Sequence, residues 1–176
     1  DCPDVARAAR TAAAAIFFNQ GEMCSAGSRV LVHRSIKEDF VEALSRAAQG
    51  WQPANPLAPD AAMGAIVDRT QYDKVLGYID TGRREGGRLL FGGAAVEPVA
   101  GGLFIPPTAF VTAPDSTIAR EEIFGPVLSV IGFDDEDEAI RLANATDYGF
   151  AAAVWTANVS TAHRVARALR AGTVWV

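Results

Sequence analysis

Cys24 lies in the run Phe17-Phe18-Asn19-Gln20-Gly21-Glu22-Met23-Cys24-Ser25-Ala26-Gly27-Ser28-Arg29. An alanine-rich helical pattern precedes it and the apolar run Val30-Leu31-Val32 follows it. A thiol on a glycine-flanked turn between a helix and a strand stands clear of the packed layers, where a substrate can reach it. Gly21 and Gly27 allow such a turn to bend tightly and to approach a ligand closely. The thiolate is the reactive form, and a free thiol has a pKa of about 8.5 unless a helix N-terminus or a cation lowers it. Such a sulfur adds to an aldehyde carbon to give a thiohemiacetal, which becomes a thioester once hydride leaves. The backbone N–H of Cys24 is a candidate donor to the developing oxyanion. A lone cysteine equally serves as core filler, since Cys is among the most buried residue types. Spacing leaves both roles open.

Two further groups carry chemistry. In Arg120-Glu121-Glu122-Ile123-Phe124-Gly125-Pro126, an extended backbone would point Glu122 and Phe124 the same way. A carboxylate and a ring on one face suit a ribosyl-nicotinamide: the acid accepts from sugar hydroxyls and the ring presses on the heterocycle. An acidic turn with Phe124 in the core fits the same residues. Gln71 and Lys74 are three apart on a helical pattern, hence on one face, as are many pairs on solvated helices. Glu22, two residues before Cys24, reads as a charged residue of an exposed turn and not as a base.

The elements that must position these residues alternate between helix and strand. Helical patterns cover residues 4–18, 68–85, 136–145 and 161–171, and another runs from the capping box Ser35-Ile36-Lys37-Glu38 to Gly50. Strand patterns cover 29–33, 88–91, 127–133 and 173–176. Residues 103–111 are extended, with Pro106-Pro107 pushing them toward a sheet edge or an irregular piece. The apolar run 150–156 predicts a strand buried on both faces. Residues 51–59, with three prolines, and 92–102 read as loops. Such alternation predicts an α/β fold: a mainly parallel open sheet with helices on both faces.

Composition bounds the rest. The 176 residues suffice for one domain with a real core, and 49% hydrophobic with 21% charged is ordinary for a globular chain. Sixteen basic against 21 acidic residues give a net charge of −5, with no basic footprint for nucleic acid. No apolar run approaches the roughly 20 residues of a membrane helix. Residues 1–4 do not read as a signal peptide. Two cysteines make no disulfide framework, so a reducing cytoplasm is expected. His33 and His163 lack company at ligand spacing, so no metal site is expected. With no resolving cysteine near Cys24, a stand-alone redox thiol protein fits poorly.

The run around Cys24 resembles the active-site signature of the aldehyde dehydrogenase superfamily, and Glu121-Glu122-Ile123-Phe124-Gly125-Pro126 resembles its second signature. Residues 68–79 are similar to the family's cofactor-proximal helix, and further likeness at 77–82, 148–154 and 171–176 extends the resemblance over essentially the whole chain. The resemblance implies that Cys24 is the catalytic nucleophile and that Glu122 contacts the nicotinamide ribose. It places Phe124 beside the cofactor, and Gln71 and Lys74 near the cofactor ribose. It implies oxidation of an aldehyde to a carboxylic acid with NAD or NADP, the choice between them left open, and a homo-oligomer for the full-length form. It also implies that residues 1–176 are a catalytic domain cut at both ends. The general-base glutamate, the cofactor-binding domain, the oxyanion asparagine and an oligomerisation strand would then lie outside it. The alternative for the chain alone is a non-catalytic, association-prone scaffold. Residues 51–57 and 153–156 look like the branch acting on γ-glutamylaminobutyraldehyde.

Overall fold

In the computed structural model, which describes residues 2–176, four strands form one sheet in the order β1-β4-β3-β2. They are β1 (Arg29–His33), β2 (Arg88–Phe91), β3 (Thr108–Val111) and β4 (Val127–Phe133). β4 runs parallel to both β1 and β3, and β2 is the antiparallel edge. Six helices accompany them: α1 (Val5–Phe17), α2 (Lys37–Ala48), α3 (Arg69–Arg84), α4 (Thr117–Arg120), α5 (Glu136–Asn144) and α6 (Val159–Ala168). β5 (Ala151–Ala153) and β6 (Thr173–Trp175) make a separate parallel pair.

The central strand explains the layering. Alternate side chains of β4 face opposite sides, and both sides are apolar. Leu128 and Val130 pack with Ala109 under α1 and α2, among Ala9, Ala13, Ile16, Phe17, Phe40 and Leu44. Val127 belongs to a second core with Phe110, Ile118, Ile123 and the α3 residues Val75 and Ile79. Ile131 joins Ala119 and the α5 residue Leu142. Ser129, also buried, donates through Oγ to the Ile118 carbonyl (3.0 Å), which satisfies its hydroxyl. Helices therefore cover both faces of a mainly parallel sheet.

Side-chain caps start α1, α3, α5 and α6: Asp4, Asp68, Asp135 and Asn158 each accept from a backbone N–H three residues on, at 2.8 to 3.0 Å. α2 and α4 lack a side-chain cap from their N-cap residues, and the capping box expected for α2 at Ser35 does not form. A 3₁₀ turn (Arg34–Ile36) precedes α2, and the His33 imidazole takes up the Ser35 N–H (3.2 Å). Glu38 pairs instead with Arg88 across the sheet edge (3.3 Å).

Of the two alternatives for residues 103–111, the irregular piece holds at 105–107, around the prolines, and Thr108–Val111 joins the sheet not at its edge but between β4 and β2. One other expectation is corrected. The run 150–156 is not buried on both faces. Only Ala151–Ala153 pairs, with β6 on one side, and Phe150 and Trp155 are exposed by 62% and 45%. A fully apolar strand sequence needs a layer on each face, and no such layer covers β5 among the described residues. Among these residues no helix is long and apolar enough to cross a membrane, and no group of His, Cys, Asp and Glu could hold a metal ion.

Leu128→Ala opens a void at a fully buried position in the core under α1 and α2. It should cost about 2–5 kcal/mol, read as a lowered urea midpoint with an unchanged slope.

Candidate active site

The loop of Cys24 is built on left-handed backbone. After α1, Asn19, Gln20 and Gly21 adopt φ values of 50°, 58° and 72° in succession. Asn tolerates this region and Gly prefers it, but Gln20 is strained there. Its side chain supplies the compensation. Oε1 accepts from the Gly64 N–H (3.0 Å) and Nε2 donates to the Ala65 carbonyl (3.3 Å), so one amide pairs with both backbone polarities of a neighbouring segment. Glu22 adds a third tether, its Oε1 accepting from the Val67 N–H (3.2 Å).

Cys24 and Ser25 then form the crown of a turn closed by the Ala26 N–H on the Met23 carbonyl (3.1 Å). The Cys24 thiol is exposed, and among the described residues no hydrogen bond engages its sulfur or its backbone N–H. Gly27, unlike Gly21, has no left-handed backbone; its N–H donates to the Ala15 carbonyl (3.0 Å) and ties the loop back to α1. Arg29 secures the exit of the loop. Its half-buried guanidinium donates to the Ala143 carbonyl (3.0 Å), and at 3.4 Å to those of Leu142 and Ala119. These are the C-terminal ends of α5 and α4, where a cation is favoured. Burial draws the Arg29 pKa down.

The second segment departs from its expected shape. Residues 120–126 are not extended: α4 ends at Arg120, and Phe124 has φ +59°, so two-residue alternation no longer relates Glu122 to Phe124. A bulky residue in this region is a true outlier. Tertiary bonds hold it there. Gln71 Nε2 donates to the carbonyls of Ile123 (2.8 Å) and Phe124 (2.7 Å), and Ile123 is buried in the α3 core. The Glu122 N–H donates to the Tyr148 hydroxyl (3.3 Å), while the exposed Glu122 carboxylate has no partner among the described residues. The preceding Glu121 is engaged: the Tyr78 hydroxyl donates to its Oε2 (2.7 Å). That bond to a carboxylate pushes the Tyr78 pKa up to about 12.

The two segments meet backbone to backbone. A Cβ on Gly21 would collide with the Gly125 carbonyl, and a Cβ on Gly125 would stand 2.5 Å from a Val75 methyl of α3. The Cys24 loop, the Glu122–Phe124 turn and α3 are thus stacked in one place. Of the expected pair on α3, Gln71 is spent on the turn. Lys74 is exposed, its ammonium 5.9 Å from the Tyr78 ring centroid. Gln20, Tyr78, Tyr148 and Arg29 also build the site; residue type and spacing do not single them out within their runs, because their partners are mostly carbonyls and amides that carry no residue signature.

The comparisons with known proteins agree over the whole chain. The sequence profile of the aldehyde dehydrogenase family matches residues 1–176. NADP/NAD-dependent aldehyde dehydrogenase PuuC of Escherichia coli is 46% identical, over 100% of this chain and 35% of that protein. The crystal structure of γ-glutamyl-γ-aminobutyraldehyde dehydrogenase from Burkholderia cenocepacia superimposes with a TM-score of 0.97 at 64% identity, covering 100% of this chain and 36% of the other. An indole-3-acetaldehyde dehydrogenase complexed with NAD+ gives the same TM-score at 54% identity, with the same coverage of both chains. The chain spans about a third of the length of these relatives.

Two outcomes follow from the loop geometry. Gly21→Ala adds a Cβ at φ +72° against the Gly125 carbonyl, and should destabilise by more than about 2 kcal/mol in a denaturant titration. Glu22 yields a pH signature. Burial and the nearby Asp68 hold its pKa above the ordinary carboxylate value, against the opposing pull of the Val67 N–H. The folded chain then binds this proton more tightly than the unfolded one, so stability is lost as pH rises from the unfolded to the folded value. Glu22→Gln keeps an acceptor for Val67 and removes the charge. Its stability relative to the unchanged chain should climb as pH rises from about 4 to about 7 in urea titrations.

Proposed function

The chain belongs to the aldehyde dehydrogenase family, and on that premise we propose that the whole protein oxidises an aldehyde to its carboxylic acid with NAD or NADP. Residues 1–176 would form part of its catalytic domain. One observation carries this reading: the contact of Gly21 on Gly125 sets the loop of an exposed, unengaged cysteine against the turn that bears a free carboxylate and a ring.

Cys24 acts as the nucleophile. Its thiolate attacks the aldehyde carbon, the C–S bond forms, and the carbonyl π pair moves onto oxygen. The Cys24 N–H, which has no acceptor among the described residues, is free to donate to that oxyanion. The nicotinamide, when bound, supplies the acceptor for the hydride that turns the thiohemiacetal into a thioester. Water then adds to the thioester carbon, the C–S bond breaks, and the acid leaves with the thiol restored.

The donor set fits a ribosyl-nicotinamide. Glu122 offers a carboxylate unclaimed by the described residues, which suits two sugar hydroxyls. Phe124, locked at φ +59°, presents an aromatic ring on a fixed backbone. Lys74 is available at the exposed edge of α3 for the ribose or phosphate oxygens. For the aldehyde, 64% identity to a γ-glutamyl-γ-aminobutyraldehyde dehydrogenase, against 54% for an indole-3-acetaldehyde enzyme, supports an aminoaldehyde.

Cys24→Ala in the whole protein should abolish aldehyde-dependent NAD(P)H formation and leave NAD(P)H binding intact by fluorescence titration. Turnover retained in that variant would overturn the assignment. The same assay on the unchanged protein should give a higher kcat/KM for γ-glutamylaminobutyraldehyde than for indole-3-acetaldehyde.

A further inference from the structure

We propose that Gln71 is a positioning residue that clamps Phe124 in its left-handed turn, and that its amide N–H groups do not reach the cofactor; the proposal rests on the cofactor reading above. A primary amide has two N–H groups. Gln71 directs Nε2 to the Ile123 carbonyl (2.8 Å) and to the Phe124 carbonyl (2.7 Å), so its donors are spoken for before any ligand arrives. The two acceptors flank the one bulky residue of the turn with φ above zero. Fixing both carbonyls sets the peptide planes on either side of Phe124, and with them the bearing of its ring.

The clamp is itself held. Gln71 sits in the first turn of α3, its own N–H donating to the capping Asp68 Oδ1 (2.8 Å). One turn further along the same helix, Val75 closes on Gly125 from below. The helix therefore grips the turn at two points, by hydrogen bonds before Gly125 and by packing beneath it. Lys74 lies on the same helix with no bond to the turn, and so differs from Gln71 in kind. Without the amide, the two carbonyls lose their partner and the strained backbone at Phe124 loses the bonds that offset it.

The test uses the whole protein with Gln71→Met, which keeps the length and removes both donors, and Gln71→Glu, which sets acceptors against the two carbonyls. Hydrogen–deuterium exchange of the peptide 121–127 is followed without cofactor, and NADH affinity by fluorescence titration. In Gln71→Met we expect exchange of that peptide to rise about tenfold, with other peptides unchanged, and the NADH Kd to rise by about the same factor. Gln71→Glu should show the larger acceleration, and it decides the matter alone should the Met variant not fold. Weaker NADH binding with unchanged exchange would mean that Gln71 touches the cofactor directly, and would overturn the clamp. Faster exchange in every peptide would overturn it too, by making Gln71 a general stability residue. Local acceleration in a protein that binds neither NADH nor NADPH would uphold the clamp and sink the cofactor reading instead.

Discussion

The site depends on two backbones that meet with no side chain between them. Gly21 lies against Gly125, and Gly125 lies against Val75 of α3. A Cβ at Gly21 would push apart the loop that carries Cys24 and the turn that carries Glu122 and Phe124, and a Cβ at Gly125 would drive that turn off Val75 of α3. Tight approach of this kind is worth little as dispersion energy in a single pair, but protein interiors are dense enough that a displaced segment has nowhere else to go. The contact therefore works as a geometric constraint. It fixes where the two segments of the candidate site, far apart in the chain, stand relative to each other.

Holding that arrangement requires strained backbone, and the strain is gathered at the same place. Asn19, Gln20 and Phe124 are the non-glycine residues with positive φ among those described, and all three belong to the two segments in contact. Strain of about 1–3 kcal/mol per residue persists only where the surroundings over-determine it. Here the surroundings are neutral amides. Gln20 pairs with Gly64 and Ala65, Gln71 with Ile123 and Phe124, and the Asn19 amide donates to the Glu22 carbonyl at 3.1 Å. Each such bond is worth only about 1 kcal/mol net, but several acting together match the strain they oppose. Amides suit the task because they satisfy backbone groups without the desolvation cost of a charge.

Charge is used where solvent can reach it. The two consecutive glutamates divide their roles: Glu121 is occupied by the Tyr78 hydroxyl, and Glu122 is braced through its backbone by Tyr148 while its carboxylate stays unclaimed among the described residues. Arg29 is the exception, a half-buried cation held by helix-end carbonyls, with no carboxylate partner among the described residues. Its position explains its use. It stands at the start of β1, directly after the Cys24 loop, and bonds to the end of α4, directly before Glu121. It thus ties together the far ends of the same two segments that Gly21 and Gly125 join in the middle.

Much of this was legible along the chain. The strand patterns at 29–33, 88–91 and 127–133 match the observed elements residue for residue, and α1, α3 and α5 lie within a residue of their expected limits. Apolar periodicity and Asp caps act over a few residues, so a local pattern is enough to read them. The glycine-flanked cysteine and the Glu-Glu-Ile-Phe-Gly-Pro run were visible for the same reason, since residue type and spacing are properties of the string. The failures share the opposite cause. The capping box at Ser35 lost to an imidazole, the extended form of 120–126 lost to a left-handed Phe124, and the run 150–156 lacked the layer its composition calls for. By itself, then, the sequence determined most of the elements, the alternation that makes a two-faced sheet, and which residues are candidates for the site. Only the tertiary structure decided that Gln71 serves the turn, that Gly21 rests on Gly125, and that the Cys24 N–H and the Glu122 carboxylate are left without partners among the described residues. Those outcomes depend on backbone carbonyls and amides brought together from distant segments, and nearly every residue carries such groups alike.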